Sequence, residues 1–313
     1  MTDCGNGIFC IDAHYEGEEI AAVFLLISQG QAALIETANN ASARYTLPAM
    51  ESLGLNRKDV DFVCVTHVHL DHAGGAGLYM QEFPNAKLVL HPRGARHMAD
   101  PSRLMESVRS VYGKAETGRL YGELVPVPLE RMIMPADGEK LAFGNMTLRC
   151  INAPGHAEHQ MVFFEESTRS LFAGDAFGIS YPWMKDARGR RWSFPSSSPV
   201  QFSPEAMAST IDRLISLSPA RIFLTHFGEI NEIEANASLL KSTIKEYVRI
   251  AESAGGDEEE IHRRLSRMYR DMASSYGTAP QTDPAKISFS LDAAVDAQGL
   301  AFWYKKTHVQ GKS

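Results

Sequence analysis

Residues 66–72 read Thr-His-Val-His-Leu-Asp-His, which places three imidazoles and one carboxylate in a single short stretch. Directly before them, Phe62–Val65 is a continuous apolar run of the kind that forms a fully buried strand. In an extended loop after such a strand, alternation directs His67 and His69 to the same side. Imidazole and carboxylate are ligands that Zn²⁺ takes in proteins. The stretch therefore predicts a metal site that can serve two adjacent ions.

Three further candidate ligands, His156, Asp175 and His226, follow later strand-like runs. Each would emerge at or just beyond the end of a strand, and an aspartate in such a place can bridge two ions. Gly174 would allow the backbone to pass close to the metals. A single histidine after a strand is usually a structural or surface residue, but together with the stretch at 66–72 these three side chains predict a dinuclear site.

The composition is that of an ordinary globular protein. The 313 residues are 44% hydrophobic and 22% charged, which suggests one large domain or two small ones. A net charge of −7 argues against nucleic acid as the main partner, because phosphate binding depends on lysine and arginine. We expect a small-molecule substrate instead, with homodimerisation left open.

The sequence also carries an expectation about the compartment. Its first residues have neither the basic nor the apolar segment of a signal peptide, and no apolar run reaches the roughly 18 residues of a membrane span. The four cysteines form no Cys-x-x-Cys pair, and Cys64 and Cys150 lie in strand-like runs as core thiols. We therefore expect a cytoplasmic protein that does not associate with membranes.

Strands and helices alternate along most of the chain. Apolar runs predict strands at 8–11, 21–27 and 32–35. A helix follows up to Leu53, in which Pro48 is tolerable only near the first turn. From about residue 235 the pattern is nearly all helical. We therefore predict a metal-binding domain over 1–234 and a helical C-terminal extension over 235–313.

Two helices carry clear start signals. Ser203 precedes a proline at the first helical position, which is a typical N-terminus. Asp257 can cap a helix whose apolar stripe runs over 261–272, and Gly277 would end it. The proline-containing stretch 278–286 then predicts a linker.

The stretch at 66–75, Thr-His-Val-His-Leu-Asp-His-Ala-Gly-Gly, resembles the signature of the metallo-β-lactamase superfamily. Pro-Gly-His at 154–156, Gly-Asp at 174–175 and Thr-His at 225–226 match the later motifs of this superfamily in order. The resemblance covers roughly 7–233 and points to stand-alone hydrolases of the glyoxalase II or lactonase type. It implies an α+β fold, a four-layer αββα sandwich with metals at one edge of its two sheets, followed here by the helical extension.

The resemblance also implies which residues bind metal. Two divalent cations are expected, with zinc favoured and iron or manganese as alternatives. The first metal would be held by His67, His69 and His156. The second would be held by Asp71, His72 and His226. Asp175 would bridge both.

One position departs from the family pattern. Many members have Asp-Thr-Gly after an early strand, whereas this chain has Glu36-Thr37-Ala38. The aspartate of the family lies behind the histidine cluster, where such groups orient metal ligands. Glu36 either takes that role with a longer reach or is a plain residue at a strand end.

The reaction that the resemblance implies is hydrolysis of an ester, thioester or lactone carbonyl by hydroxide held between the metals. Asp71 would accept or relay a proton besides binding metal. Tyr181 would stabilise the oxyanion, although packing in an aromatic loop is the commoner role for such a residue.

The segment 181–202 is either a lid over the substrate or a solvated insertion. His159 competes with His156 as a ligand, and the Pro-Gly-His pattern favours His156.

Other functions share this ligand pattern. Phosphodiesterases have the same metal motif, whereas an RNA-processing nuclease is disfavoured by the acidic charge. A non-hydrolytic di-iron protein that binds or reduces oxygen is a different class, but flavodiiron proteins usually carry Glu where His69 stands and need a flavin domain. A scaffold without catalysis is disfavoured because every ligand position is filled.

Overall fold

The computed structural model describes residues 1–197, 199–278 and 289–309, except for the side chains of 110–112 and 309. The chain divides into two compact units. The first unit comprises Met1–Asn152, His159–Gly174 and Thr225–Gly228, and the second comprises Ala153–Glu158, Asp175–Leu224 and the part from Glu229 onward. The domain boundary that the sequence suggests after residue 234 stays a prediction. The predicted linker lies, apart from Thr278, outside the described residues.

A seven-stranded sheet forms the centre of the first unit. Its strands lie side by side in chain order, and they are β1 (Thr2–Asp3), β2 (Ile8–Asp12), β3 (Ala22–Ser28), β4 (Gln31–Ile35), β5 (Val60–Cys64), β6 (Lys87–Val89) and β7 (Met132–Ile133). Strands β1 to β4 pair antiparallel and β4 to β7 pair parallel. The predicted early strands are confirmed, and the Cys64 thiol is buried as predicted. The parallel half explains the continuous apolar runs, because such strands are covered on both faces.

Four antiparallel strands of the first unit form a second layer. They are β8 (Lys140–Phe143), β9 (Met146–Asn152), β10 (Met161–Glu165) and β11 (Ser170–Phe172), each paired with the next in the chain. The two layers face each other through aromatic contacts. The rings of Phe24 and Phe172 are 5.3 Å apart, and those of Phe62 and Phe143 are 6.2 Å apart. Aromatic and aliphatic side chains from both layers therefore form a shared core.

Six helices belong to the first unit: α1 (Ala43–Ser52), α2 (Leu70–Ala73), α3 (Ala76–Glu82), α4 (Ala95–Ala99), α5 (Ser102–Tyr112) and α6 (Lys114–Tyr121). Tyr79, Met80 and Phe83 from the α3 region are buried in one cluster with residues of the seven-stranded sheet. The predicted position of Pro48 near a helix start is wrong, because α1 begins at Ala43 and contains Pro48 in its interior. The carbonyl of Arg44 loses its helical partner there, but Arg44 is exposed and water can satisfy it.

The described part of the second unit contains four α-helices and two short strands. They are α7 (Pro204–Ser216), β12 (Arg221–Leu224), β13 (Gly228–Ile230), α8 (Ile233–Ser253), α9 (Glu258–Ser275) and α10 (Ser290–Tyr304). Both predicted N-caps are confirmed, since Ser203 accepts from the Ala206 amide and Asp257 from the Glu260 amide. The described part of the chain contains no helix with the length and apolarity needed to cross a bilayer.

Candidate metal centre

The histidine-rich stretch leaves the carboxyl end of β5 and turns into the single-turn helix α2. His67 and His72 are buried, with exposures of 1% and 0%. His67 Nε2 and His69 Nδ1 are 2.9 Å apart. Two nitrogens bound to one tetrahedral zinc at about 2.0–2.1 Å lie roughly 3.3 Å from each other. The two nitrogens are at hydrogen-bond distance, so binding of a shared zinc would require them to move apart by about 0.4 Å.

A second group in the first unit comprises Asp71, His72 and His226, whose ligand atoms all lie within 4.8 Å of one another. Asp71 Oδ2 is 3.6 Å from His72 Nε2 and 3.3 Å from His226 Nε2. His226 Nδ1 donates to the carbonyl of Ile20 at 2.7 Å. Because Nδ1 carries the proton, Nε2 is the nitrogen that can ligate a metal on the side of Asp71.

The surroundings of Asp71 favour its ionised form. Burial opposes ionisation, but the imidazoles of His72, His226 and His69 together hold the pKa of this carboxyl well below its usual range. A cation site requires a carboxylate rather than a carboxylic acid. The charge state of Asp71 therefore fits the role of a ligand.

Glu36 lies directly behind His72 and is completely buried. Its Oε1 accepts hydrogen bonds from Thr66 Oγ1 at 2.5 Å and Thr225 Oγ1 at 3.0 Å, and it is 2.9 Å from His72 Nδ1. Its Oε2 accepts from the Thr66 amide at 3.3 Å. Donation from His72 Nδ1 to this carboxylate directs His72 Nε2 toward Asp71. Of the two interpretations of Glu36, the structure supports the ligand-orienting one.

Two other candidate ligands, His156 and Asp175, belong to the second unit and are 3% and 4% exposed. His156 Nε2 is 3.5 Å from Asp175 Oδ2. His156 Nδ1 donates to the carbonyl of Ser196 at 2.9 Å, so Nε2 is again the nitrogen available to a metal. This nitrogen-to-carboxylate spacing is close to the spacings at Asp71.

Gly174 has a close neighbour that explains the residue type. It adopts a φ of +52°, and a Cβ at this position would lie 2.4 Å from Thr66 Oγ1. Any side chain would therefore collide with the residue that precedes His67. The glycine keeps the end of β11 close to the histidine-rich stretch.

His159 belongs to the first unit and lies beside the histidine-rich stretch. Its ring is 5.5 Å from that of His69 and 6.1 Å from that of His67. Its Nδ1 accepts from the Val68 amide at 3.5 Å. His156 contacts Asp175, and it stays the predicted ligand.

Tyr181 is held by a residue of the C-terminal helix. Its hydroxyl donates to Asp292 Oδ1 at 2.9 Å, and its ring stacks on Trp183 with centroids 5.9 Å apart. Burial and the neighbouring Asp292 carboxylate raise the pKa of Tyr181 well above its usual value, and the charge of Asp175 contributes. Tyr181 is therefore a neutral hydrogen-bond donor within electrostatic reach of Asp175.

Part of the segment 181–202, including residues 192–197, is buried in the core of the second unit. Met184, Trp192 and Phe194 have no exposed surface, and Trp192 Nε1 donates to Thr278 Oγ1 at 3.1 Å. The tip at 185–190 is largely exposed and is closed by the Asp186–Arg190 ion pair at 2.7 Å. Of the segment 181–202, the predicted solvated insertion therefore corresponds to this tip.

The Metallo-beta-lactamase superfamily model matches residues 17–226. The chain belongs to this superfamily. It is 24% identical to the metallo-beta-lactamase fold-containing protein ST1585 of Sulfurisphaera tokodaii, over 80% of this chain and 88% of that protein. It is 22% identical to a hydroxyacylglutathione hydrolase of Synechococcus sp., over 77% of this chain and 71% of that enzyme.

Solved structures confirm the predicted fold. ST1585 from Sulfolobus tokodaii superposes with a TM-score of 0.63 at 19% identity, covering 95% of this chain and 98% of that one. The metallo-beta-lactamase family protein TTHA1429 from Thermus thermophilus gives a TM-score of 0.66 at 20% identity, covering 99% and 95%. The chain has the metallo-β-lactamase fold, with mixed sheets, helices and further helices at the C-terminal end.

Several groups that orient the candidate ligands are not found by sequence reasoning. The carbonyls of Ile20 and Ser196 accept from His226 and His156. A backbone carbonyl has no residue type to signal it, so no motif marks such a partner. Asp292 on α10 holds Tyr181 across more than a hundred residues of chain. Asp292 lies in the first turn of α10, where acidic residues are common, so the sequence does not single it out.

Proposed function

We propose that the chain is a dinuclear metal-dependent hydrolase that cleaves an ester, thioester or lactone carbonyl of a small molecule. The observation that carries the proposal is the repeated pairing of a carboxylate with imidazole nitrogens at 3.3–3.6 Å, around Asp71 in one unit and at Asp175 in the other. The ligand motif supports joint action of all seven residues: His67, His69, Asp71, His72, His156, Asp175 and His226. The relative named hydroxyacylglutathione hydrolase supports hydrolysis of an acyl group.

The donor set suits divalent metal, with zinc favoured. When bound, such ions lower the pKa of a coordinated water to about 7 and polarise a carbonyl oxygen. The protein supplies the geometry, since the protonated Nδ1 atoms of His72, His156 and His226 face protein acceptors and leave their Nε2 atoms to ligate. The lowered pKa of Asp71 keeps its carboxylate ionised, as a metal ligand requires. We also propose that Asp71 relays a proton during hydrolysis.

Tyr181 is proposed to donate a hydrogen bond to the developing oxyanion. Its raised pKa keeps the phenol protonated at neutral pH, so its hydroxyl can donate a hydrogen bond to the substrate oxygen. In the structure its proton is directed to Asp292. Catalysis therefore requires the hydroxyl to exchange Asp292 for the substrate oxygen.

The test is a hydrolysis assay on the as-purified protein with its metal content measured. We expect about two metal ions per chain and turnover of at least one thioester, lactone or ester, lost with a chelator and restored by zinc. A phosphodiester in the same panel should be a poorer substrate. Bound iron with a visible charge-transfer band and no hydrolysis would show that the oxygen-binding alternative is correct.

A further inference from the structure

We propose that Asp296, on the C-terminal helix α10, is a positioning residue that orients the metal ligand His156 through the segment 195–197. The proposal rests on the proposed metal-dependent function, because the orientation of His156 matters to function only if it binds metal. On this proposal, α10 influences the metal centre indirectly, by orienting a ligand, and touches neither substrate nor metal.

The first step is the contact between His156 and the segment 195–197. His156 Nδ1 donates to the Ser196 carbonyl at 2.9 Å, and both residues are buried. This hydrogen bond fixes both the tautomer and the rotation of the imidazole ring. The position of one backbone carbonyl therefore sets the direction of His156 Nε2, which faces Asp175 at 3.5 Å.

The second step is the way in which that carbonyl is held. Residues 195–197 belong to no helix or strand, so no regular hydrogen-bond ladder fixes them. Instead, Asp296 Oδ1 accepts from the Ser197 amide at 2.6 Å and from Ser197 Oγ at 3.0 Å. On the other side of Ser196, the Tyr247 hydroxyl donates to the Pro195 carbonyl at 2.7 Å. Side chains from two helices thus fix both neighbours of Ser196.

The third step is the cluster around the other oxygen of Asp296. Oδ2 accepts from the Tyr269 hydroxyl at 2.5 Å and is 3.3 Å from the Tyr247 hydroxyl, and the two hydroxyls contact each other. Asp296 is 2% exposed, and burial raises the pKa of its carboxyl to about 7. A buried carboxyl is costly in folding free energy, and a fully hydrogen-bonded one specifies a unique arrangement of its neighbours. The cluster joins α8, α9 and α10 at the point that holds Ser197.

Gly299 shows that α10 lies directly against the segment 195–197. A Cβ at Gly299 would be 2.9 Å from both the carbonyl oxygen and Oγ of Ser197. A side chain at this position would push Ser197 away without changing the Asp296 carboxyl. The helix therefore offers two independent ways to disturb the same segment.

A competing explanation is that the cluster only holds the three helices together. Under that explanation, losses in metal binding would follow losses in stability, whatever residue causes them. Ile261 on α9 is fully buried, and its side chain offers no hydrogen bond to residues 195–197. Ile261→Val and Ile261→Ala lower stability by removing apolar volume and provide matched controls of graded severity.

The experiment uses the full chain of the wild type and of Asp296→Ala, Asp296→Asn, Gly299→Ala and the Ile261 variants. Zinc affinity is measured by chelator competition, the visible spectrum after loading with cobalt(II), and Tm for each apoprotein. We expect Asp296→Ala and Gly299→Ala to weaken zinc binding about 10-fold or more and to change the cobalt spectrum, as removal of outer partners does at metal sites. Asp296→Asn keeps an oxygen for Ser197 and should largely restore both.

The Ile261 variants should lower Tm while keeping the zinc affinity and cobalt spectrum of the wild type. If zinc affinity instead falls in proportion to Tm across all variants, Asp296 is merely structural and the proposal is wrong. Wild-type zinc binding with unchanged spectra in Asp296→Ala and Gly299→Ala would also overturn it. If Asp296→Ala does not fold, Gly299→Ala decides. Failure of the wild type itself to bind zinc or cobalt would refute the proposed function, which is a separate result.

Discussion

In the first unit the proposed ligand His72 is oriented by a side-chain carboxylate, Glu36, whereas in the second unit the proposed ligand His156 is oriented by a backbone carbonyl, that of Ser196. Glu36 also binds Thr66 and Thr225, which are neighbours of ligands in the sequence. The Ser196 carbonyl depends on residues of the C-terminal helices. The orientation of His72 can therefore be changed by substituting Glu36 itself. The orientation of His156 can be changed only by substituting the residues that hold the backbone at Ser196.

The largest effect is expected for Asp175→Ala, which removes a proposed bridging ligand. Loss of an outer partner alone costs about 10–100-fold in metal affinity or activity, so loss of a ligand should cost more than about 100-fold in both. Metal content and kcat/KM are measured on the same preparation. Asp212→Ala is a matched control in the same unit, because Asp212 is 64% exposed and pairs only on the surface with Lys241. Activity that survives with the metals gone would refute the mechanism.

The next effect is expected for Tyr181→Phe, which removes the proposed oxyanion donor and keeps the ring. Loss of one such donor lowers kcat by about 100-fold or more, with little change in KM. Metal content should stay that of the wild type. An unchanged kcat with a lowered Tm would show that Tyr181, with its bond to Asp292, serves packing alone.

The comparison also shows how far sequence reasoning reaches. The stretch 66–72 and the Pro-Gly-His, Gly-Asp and Thr-His motifs predict the family and the candidate ligands, because ligand chemistry fixes residue types at short spacing. The caps Ser203 and Asp257 are equally local. The strands β1 and β7 have two residues each. Two residues are too few to show an alternation of apolar and polar side chains, so these strands could not be predicted.

The partners of the ligands could not be predicted because they are set by tertiary contacts. Asp296 binds Ser197 across 99 positions of sequence, and Asp292 binds Tyr181 across 111. Pro48 shows the same limit in a helix, since exposure of the Arg44 carbonyl decides whether an interior proline is tolerated. Helix propensity alone does not say whether a proline is tolerated at a given helix position.

A smaller effect is expected for substitutions of Glu36, which test the side-chain arrangement. Glu36→Gln places an amide where Thr66, His72 and Thr225 all donate, so zinc affinity should fall about 10–100-fold. Glu36→Asp, with a shorter reach, should give an intermediate loss. Chelator competition gives the affinity and thermal unfolding gives Tm.

Glu165→Gln is the matched control for Glu36. Glu165 is also fully buried in the first unit, where it accepts hydrogen bonds from Ser167 and Thr168 in the turn after β10. Its substitution should lower Tm and leave zinc affinity unchanged. Equal zinc losses for Glu36→Gln and Glu165→Gln would mean that Glu36 acts only through stability.

The smallest effect is expected at the tip of the segment 181–202. Arg190 is 54% exposed and pairs with Asp186, which holds the turn rather than the core. Because this pair holds only a surface turn, Arg190→Ala and Arg188→Ala should leave kcat, KM and zinc affinity within about twofold of the wild type. The half-buried Trp183 contacts the rings of both Tyr181 and Phe289, so Trp183→Ala should change kcat and Tm together. A several-fold rise in KM for an anionic substrate in the arginine variants, with kcat retained, would instead make the tip a substrate-binding lid. In that case the second unit would recognise substrate from an exposed turn as well as hold ligands from its core.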